Sequence, residues 1–406
     1  MVFLGLCICS LLLKWNEVRY MKKNLPPGTM GWPLFGETTE FLKHGPNFMK
    51  SQRARYGNLY KTHILGCPTV ICMDPDLNRY ILMNEGKGLV PGYPQSMLDI
   101  LGKYNIAAVH GSLHKTMRGA MLALIGPTMV RDHLMPKIDK FIRSHLNHLD
   151  GKIIDIQDKT KEARKKITSM LTKIINERRA TSNTFGDMLD ALLKTDEIAR
   201  AKLTDEQIVD LILTIIYSGY ETVSTTSMMA IKYLHDNPKA LQGLRDEHFE
   251  IRKWKSPEDP INWNEYKSMN FTRAVIYETL RMATVINGLL RKTSQDMDMK
   301  GYVIPEGWKI YVYMRESNYD PFLYPEPFSF NPWRWLDKSL ESHQCFLLFG
   351  GGSRLCPGKD LGTVEISIFI HYFVTRYRWE EVGKDKLVKF PRVEAPNGIR
   401  MRVLNY

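Results

Sequence analysis

"FLLFGGGSRLCPGKDLG", Phe346 to Gly362, places a single thiol, Cys356, between a glycine run and an apolar stretch with helical character. Glycines at 350, 351 and 352 carry no Cβ and let backbone come close to a neighbour. Arg354 suits an anionic group. A cysteine at the mouth of a helix is stabilised as the thiolate by the helix dipole and by free N–H groups. The stretch therefore suits a low-pKa cysteine beside a flat, anionic ligand. A haem held by a thiolate fits that description, with the arginine facing the propionates and the glycines facing the porphyrin. A buried structural cysteine beside a Gly-rich turn fits the same residues.

Upstream lies the longest helical signal in the chain. Thr204 and Gln207 form a capping box, and "IVDLILTIIYSGYETVSTTSMMAIKYLHDNP" continues for about thirty residues until Pro238. Its middle is apolar nearly all round, so a buried central helix is expected. Within it "SGYETVSTTS" sets Gly219, Glu221 and Thr222. Glycine costs about 1 kcal/mol in a helix interior, and a buried glutamate costs more unless it has a partner. Hydroxyls that bond backward to carbonyls can open a helix. An acid–hydroxyl pair in an opened helix is a proton relay; a kinked core helix with a solvated glutamate is the plainer alternative. In "ETLR", Glu278 and Arg281 are three apart and share a helix face. Such pairs are mostly surface bridges of small value.

The composition allows a large core: 406 residues, 44% hydrophobic. The cysteines at 7, 9, 67, 72, 345 and 356 form no CxxC pattern and no disulfide scaffold, which favours a reducing compartment. The net charge of +12 is spread over short runs, with neither zinc-finger spacing nor an RNA-binding signature, so nucleic acid is not an expected partner. An acidic protein or an anionic membrane surface suits that charge better.

Residues 1–20 read as an N-terminal membrane anchor. Met1 to Leu13 is apolar apart from Ser10, short of the roughly 20 residues a spanning helix needs. Lys14, Arg19, Lys22 and Lys23 follow the run, which favours a cytosolic body. Residues 21–36 read as a proline-rich hinge and 37–406 as one domain. "YKTHILGCPTVICM" predicts two strands around a Gly-Cys-Pro turn, "MDMKGYVIPEGWKIYVYM" a hairpin, and "YDPFLYPEPFSFNPWRW" an irregular packed loop. "ARKKITSMLTKIINERRA" predicts an amphipathic helix with Ile167, Met170, Leu171, Ile174 and Ile175 on one face. The expected class is mainly α with small β-sheets.

Taken in order, these motifs resemble the cytochrome P-450 superfamily of haem-thiolate monooxygenases. "FGGGSRLCPG" matches F-x-x-G-x-R-x-C-x-G at every fixed position. "SGYETV" is similar to [AG]-G-x-[DE]-T with Ser218 in place of the first residue, "ETLR" matches E-x-x-R, and "NPWRW" supplies Arg334. The resemblance implies haem b between the central helix and the cysteine loop, with Cys356 as axial thiolate and Phe349, Gly350 and Gly358 beside the cofactor. It implies that Arg354, Arg291, His114 and Arg118 hold propionates. It also implies that Glu221 and Thr222 deliver protons during dioxygen activation, and that Glu278, Arg281 and Arg334 form a structural network. Longer stretches such as "GYPQSMLDILGKYNIAAVHG" and "HYFVTRYRWEEVGKDKLVKFPRVEAPNG" resemble plant brassinosteroid-6-oxidases. That implies oxidation of C-6 of 6-deoxo brassinosteroids, an NADPH-dependent reductase as electron donor, molecular oxygen as co-substrate, and an endoplasmic reticulum membrane location.

One feature departs from the family. Only about fifty residues separate Asp155 from Thr204, where the family carries further helices roofing the substrate pocket. The join near Glu162–Ala163 reads as a missing block, so part of the distal roof is expected to be absent. Two further readings follow: a peroxide-rearranging haem enzyme, which would need no proton relay, and a non-catalytic haem-binding remnant.

Overall fold

The computed structural model describes residues 2–147, 149–155, 173–180, 188–193, 203–256, 258–383, 386–396 and 398–406. The Glu162–Ala163 join and Ile167, Met170 and Leu171 lie outside them; Ile175 is fully buried and Ile174 packs in the same cluster. Among the helices are α1 (Val2–Arg19), α2 (Pro75–Met83), α3 (Gly111–Ile125), α4 (Met135–Leu146), α5 (Asp205–Asp236), α6 (Pro238–Arg252), α7 (Asn270–Ala283) and α8 (Lys359–Arg376).

The strands are short. Those named β1 (Leu59–Ile64), β2 (Cys67–Cys72), β3 (Leu89–Pro91), β5 (Gly288–Thr293) and β8 (Lys309–Tyr313) form one sheet in the order β1-β2-β8-β5-β3. A second sheet joins β4 (Ile153–Asp155), β10 (Arg400–Asn405) and β9 (Tyr377–Glu381), and β6 (Met297–Met299) pairs with β7 (Tyr302–Ile304). Two expectations shift here. The first turn is Leu65–Gly66, both at positive φ, while Cys67 and Pro68 already lie in β2. The expected hairpin covers only β6 and β7, because β8 pairs with β2 and β5 instead.

Helix α5 begins as expected, with Thr204 Oγ1 accepting from the Gln207 N–H and the Gln207 side chain answering the Thr204 N–H. It runs unbroken for 32 residues. It is buried at both ends but not in the middle, where Ile216 is 51% exposed and Tyr217 and Tyr220 are also open. The expected local opening is absent: the Thr222 hydroxyl donates to the Ser218 carbonyl at 2.7 Å, and the α-helix continues past it. A hydroxyl that back-bonds this way can be absorbed by an intact helix when the carbonyl is shared.

The main core packs the C-terminal half of α5 against α6, α7 and α8. At its centre His371 of α8 and His248 of α6 meet with Nδ1 atoms 3.0 Å apart, both fully buried. Burial holds His248 down to about 3 and His371 well below the usual histidine range, where Arg252, Lys255 and Arg376 also oppose protonation. Above pH 6.5 both are neutral in folded and unfolded chains. Below it the unfolded chain takes up protons that the folded chain refuses. Stability therefore falls as pH drops from 6.5 towards 3, by up to about 1.4 kcal/mol per pH unit for each proton. Denaturant midpoints measured between pH 7 and 5 are expected to fall less steeply in His371→Gln than in the parent; parallel slopes would refute the assignment.

The segment after α1 is tied to the body. Asn16 Nδ2 donates to the carbonyls of Met30 (2.9 Å) and Gly31 (3.0 Å), Glu17 pairs with Lys61 (2.8 Å), and the Lys61 N–H donates to Pro27 O. Among the described residues no helix is long and apolar enough to cross a membrane. Helix α1 nevertheless exposes Ile8, Leu11, Leu12, Trp15 and Val18.

Candidate active site

Cys356 sits three residues before α8, its N–H donating to Phe349 O at 2.9 Å, and its side chain is exposed. Gly350 and Gly352 have φ of 76° and 66°, which side chains disfavour. A Cβ on Gly352 would stand 2.4 Å from Leu82 O at the end of α2, so this glycine is required by backbone approach. Gly350 and Gly358 face open space or ordinary contact distance. Phe349 packs edge-on against Tyr277, with the Lys359 ammonium 5.3 Å from its ring centre.

The expected low thiol pKa is corrected here. Crowding by protein pushes the Cys356 thiol up, and a Gly358 N–H and the Arg118 guanidinium offset this only in part. A thiol that coordinates a metal cation loses its proton outright, so deprotonation falls to the metal rather than to the loop.

The four residues expected to hold propionates converge on one side of this loop. Arg118, on α3, donates from Nη2 to Leu355 O at 2.7 Å. His114, one turn earlier, is buried, and burial with Arg354 beside it lowers its pKa to about 4, so it is neutral. Arg291 on β5 is fully buried; its Nη1 reaches Leu290 O (3.1 Å) while its Nε has no partner. Arg354 is more committed than expected. Its Nη1 donates to Ile106 O (2.7 Å) and Ala107 O (3.2 Å), its Nη2 to Val109 O, and its Nε to the Glu85 carboxylate. Sequence reading missed Glu85 and Tyr93. Glu85 lies against both buried arginines, and Tyr93 lies beside Arg291, burial raising its hydroxyl pKa. Only their spatial convergence reveals them. The donor set fits haem: an accessible thiol, three guanidinia beside it, and a buried orphan N–H on one of them.

Opposite this loop runs the exposed middle of α5. A Cβ on Gly362 of α8 would touch Val223 at 3.4 Å, which sets the Glu221–Thr222 turn beside the cysteine helix. Glu221 is half-buried and pairs with Arg392 at 3.3 Å; Tyr217, one turn earlier, has its hydroxyl pushed up to about 12 by partial burial and by the nearby Glu221. Arg392, from the C-terminal loop, had no sequence signal.

The Glu278–Arg281 pair is not the surface bridge its spacing suggests: both side chains are 0% exposed. Arg281 grips the carboxylate through Nε (2.9 Å) and Nη2 (2.8 Å) and reaches Asn318 O and Pro327 O. Glu278 also accepts from Arg334 Nε (3.2 Å), Asn331 N (2.9 Å) and Trp335 Nε1 (2.9 Å). The expected three-residue network is present, with the proline- and aromatic-rich loop wrapped around it.

Comparison with known proteins agrees with this geometry. Residues 144–399 match the cytochrome P-450 family model. The chain is 61% identical to cytochrome P-450 85A1 of Solanum lycopersicum, covering 99% of this chain and 97% of that protein, and 60% identical to cytochrome P-450 85A of Phaseolus vulgaris with the same coverage. It is 34% identical to the 3beta,22alpha-dihydroxysteroid 3-dehydrogenase of Arabidopsis thaliana over 96% of this chain and 95% of that one. The tomato comparison runs over 452 positions although this chain has 406 residues, so at least 46 positions of that relative have no counterpart here. The retinoic acid-bound cyanobacterial CYP120A1 shares the fold, with a TM-score of 0.83 at 22% identity over 95% of this chain and 100% of that one. A thiol loop with its guanidinium clamp, the buried Glu–Arg–Arg network and the matches over nearly the whole chain lead to one assignment: this chain belongs to the cytochrome P-450 family, the haem-thiolate monooxygenases.

Proposed function

We propose that the chain acts on C-6 of 6-deoxo brassinosteroids, converting 6-deoxocastasterone through an alcohol to the ketone castasterone. The observation that carries this is the 61% identity, across 99% of the chain, to cytochrome P-450 85A1, of the brassinosteroid 6-oxidase family. Each step consumes dioxygen, protons and electrons from NADPH, passed on by a reductase, and releases water. The work takes place at the endoplasmic reticulum membrane, and the apolar surface of α1 supports that placement.

Haem, when bound, supplies dioxygen activation. Cys356 is the residue that would ligate its iron, and Arg291, Arg118 and the remaining N–H of Arg354 would hold its propionates. Glu221, next to Arg392, is the carboxylate that would pass protons toward the site, and the Thr222 hydroxyl, which donates to Ser218 O, keeps its lone pairs free to accept a hydrogen bond there. This pair favours a monooxygenase over a peroxide-rearranging enzyme.

The positions lacking a counterpart correspond, in this reading, to the roof over α5, and the exposure of Ile216 accords with it. At about 25 cal/mol per Å², losing a few hundred Å² of apolar contact removes several kcal/mol of steroid binding. Titrated with 6-deoxocastasterone, the chain as written is expected to show no spin-state shift. The same chain with the block restored from a full-length transcript should give a saturable shift and C-6 ketone product. A shift without the block would show the roof to be dispensable; neither shift nor product with it would refute the substrate assignment.

A further inference from the structure

The propionate clamp has a carboxylate of its own. Glu85 lies just past α2, with a side chain 8% exposed. Its Oε2 receives Arg354 Nε and lies 3.8 Å from Arg291 Nη2. The two arginines come from the cysteine loop and from β5, and their side chains are 9% and 1% exposed. Guanidinia so deeply buried and so close repel each other unless an anion lies between them, and an unpaired buried charge is costly. Glu85 is that anion.

The hydrogen bonds divide the labour. Arg354 spends Nε on Glu85 and three further bonds on Ile106, Ala107 and Val109, which leaves one N–H. It is chiefly a bracket, fastening residues 106–109 to the cysteine loop. Arg291 is the reverse: it bonds Leu290 O, and its Nε is buried without a partner. A buried donor left unpaired is costly, so an acceptor belongs there. The charges agree. Arg118, Arg291 and Arg354 bring three positive charges, His114 is neutral, and Glu85 brings one negative charge. The balance of two is that of a dianion such as the paired propionates of haem.

We infer that Glu85 is a positioning residue for haem: by bracketing Arg354 and balancing Arg291 it holds the Arg291 N–H groups aimed at a propionate. The inference rests on the haem-thiolate assignment. Its test is made on the purified holoprotein, parent against Glu85→Ala and Glu85→Gln. Haem transfer to excess apomyoglobin reads affinity, and the propionate bending bands of the resonance Raman spectrum read the clamp itself. Glu85→Ala is expected to release haem at least tenfold faster with shifted propionate bands. Glu85→Gln, which keeps an oxygen for Arg354 Nε but not the charge, should fall between; it decides the matter if the alanine variant does not fold. A lowered melting temperature with unmoved bands and release rate would make Glu85 merely structural and overturn the inference. Slower release would mean that Glu85 competes with the propionates, and would overturn it equally. A parent without the thiolate Soret band would strike the haem assignment itself, whereas a normal parent with unresponsive variants strikes only this inference.

Discussion

Cys356→Ser is expected to abolish the red-shifted Soret band that the reduced protein gives with carbon monoxide. The band reports a soft thiolate on iron, and a serine oxygen is a hard, weakly basic replacement. Two other thiols are poorly suited to take over. Cys72 is fully buried in β2 with its pKa pushed up to about 12, and Cys345 lies eleven residues up the chain, its thiol also raised by burial. The fold should survive, because the loop is held by the backbone bond to Phe349 O and by the Arg118 contact with Leu355 O. Circular dichroism on the same sample separates loss of ligation from loss of structure. An intact band in the folded variant would transfer the axial role to another residue.

Arg281→Ala is expected to yield little or no folded haem protein. The substitution removes both N–H bonds that Arg281 makes to Glu278 and strips donors from the carbonyls of Asn318 and Pro327. Arg334, at 3.2 Å, remains, but it reaches only one oxygen of the carboxylate. Breaking a buried ion pair costs about 3–5 kcal/mol, a large part of a typical folding free energy of about 5–15 kcal/mol. Arg281→Lys should be intermediate, since an ammonium cannot grip two oxygens and two carbonyls in one plane. Soluble yield, Soret absorbance and urea midpoint check this; a parental midpoint for the alanine variant would show the network to be dispensable.

The site was legible wherever its chemistry is local. The cysteine loop could be read because its glycines, arginine and thiol lie within ten residues and each answers a steric or electrostatic need. The start of α5 could be read because a capping box is a contact between neighbours. The Glu278–Arg281 spacing shows only a shared face, since i,i+3 spacing is the same on a wet surface and in a core; the burial expected for the pair came from the motif resemblance, and the loop wrapped over it, from Asn318 to Trp335, is what excludes water. The thiol pKa was misjudged for a related reason. Helix position is local, but desolvation is summed over everything that packs nearby.

What the sequence determined by itself, then, was the helical class, the start of α5 and the polar residues in its middle, because helix periodicity and caps are set by interactions within a few residues; the expected roles of Cys356 and Arg334 came from the motif resemblance. The tertiary structure alone decided that Glu85 and Tyr93 join Arg291 and Arg354 in one cluster and that Arg392 reaches Glu221. Those residues lie tens to hundreds of positions apart. A charge far along the chain leaves no mark on local periodicity, and its partner is chosen only when helices and sheet close around the pair and remove the water that would otherwise have solvated each one separately.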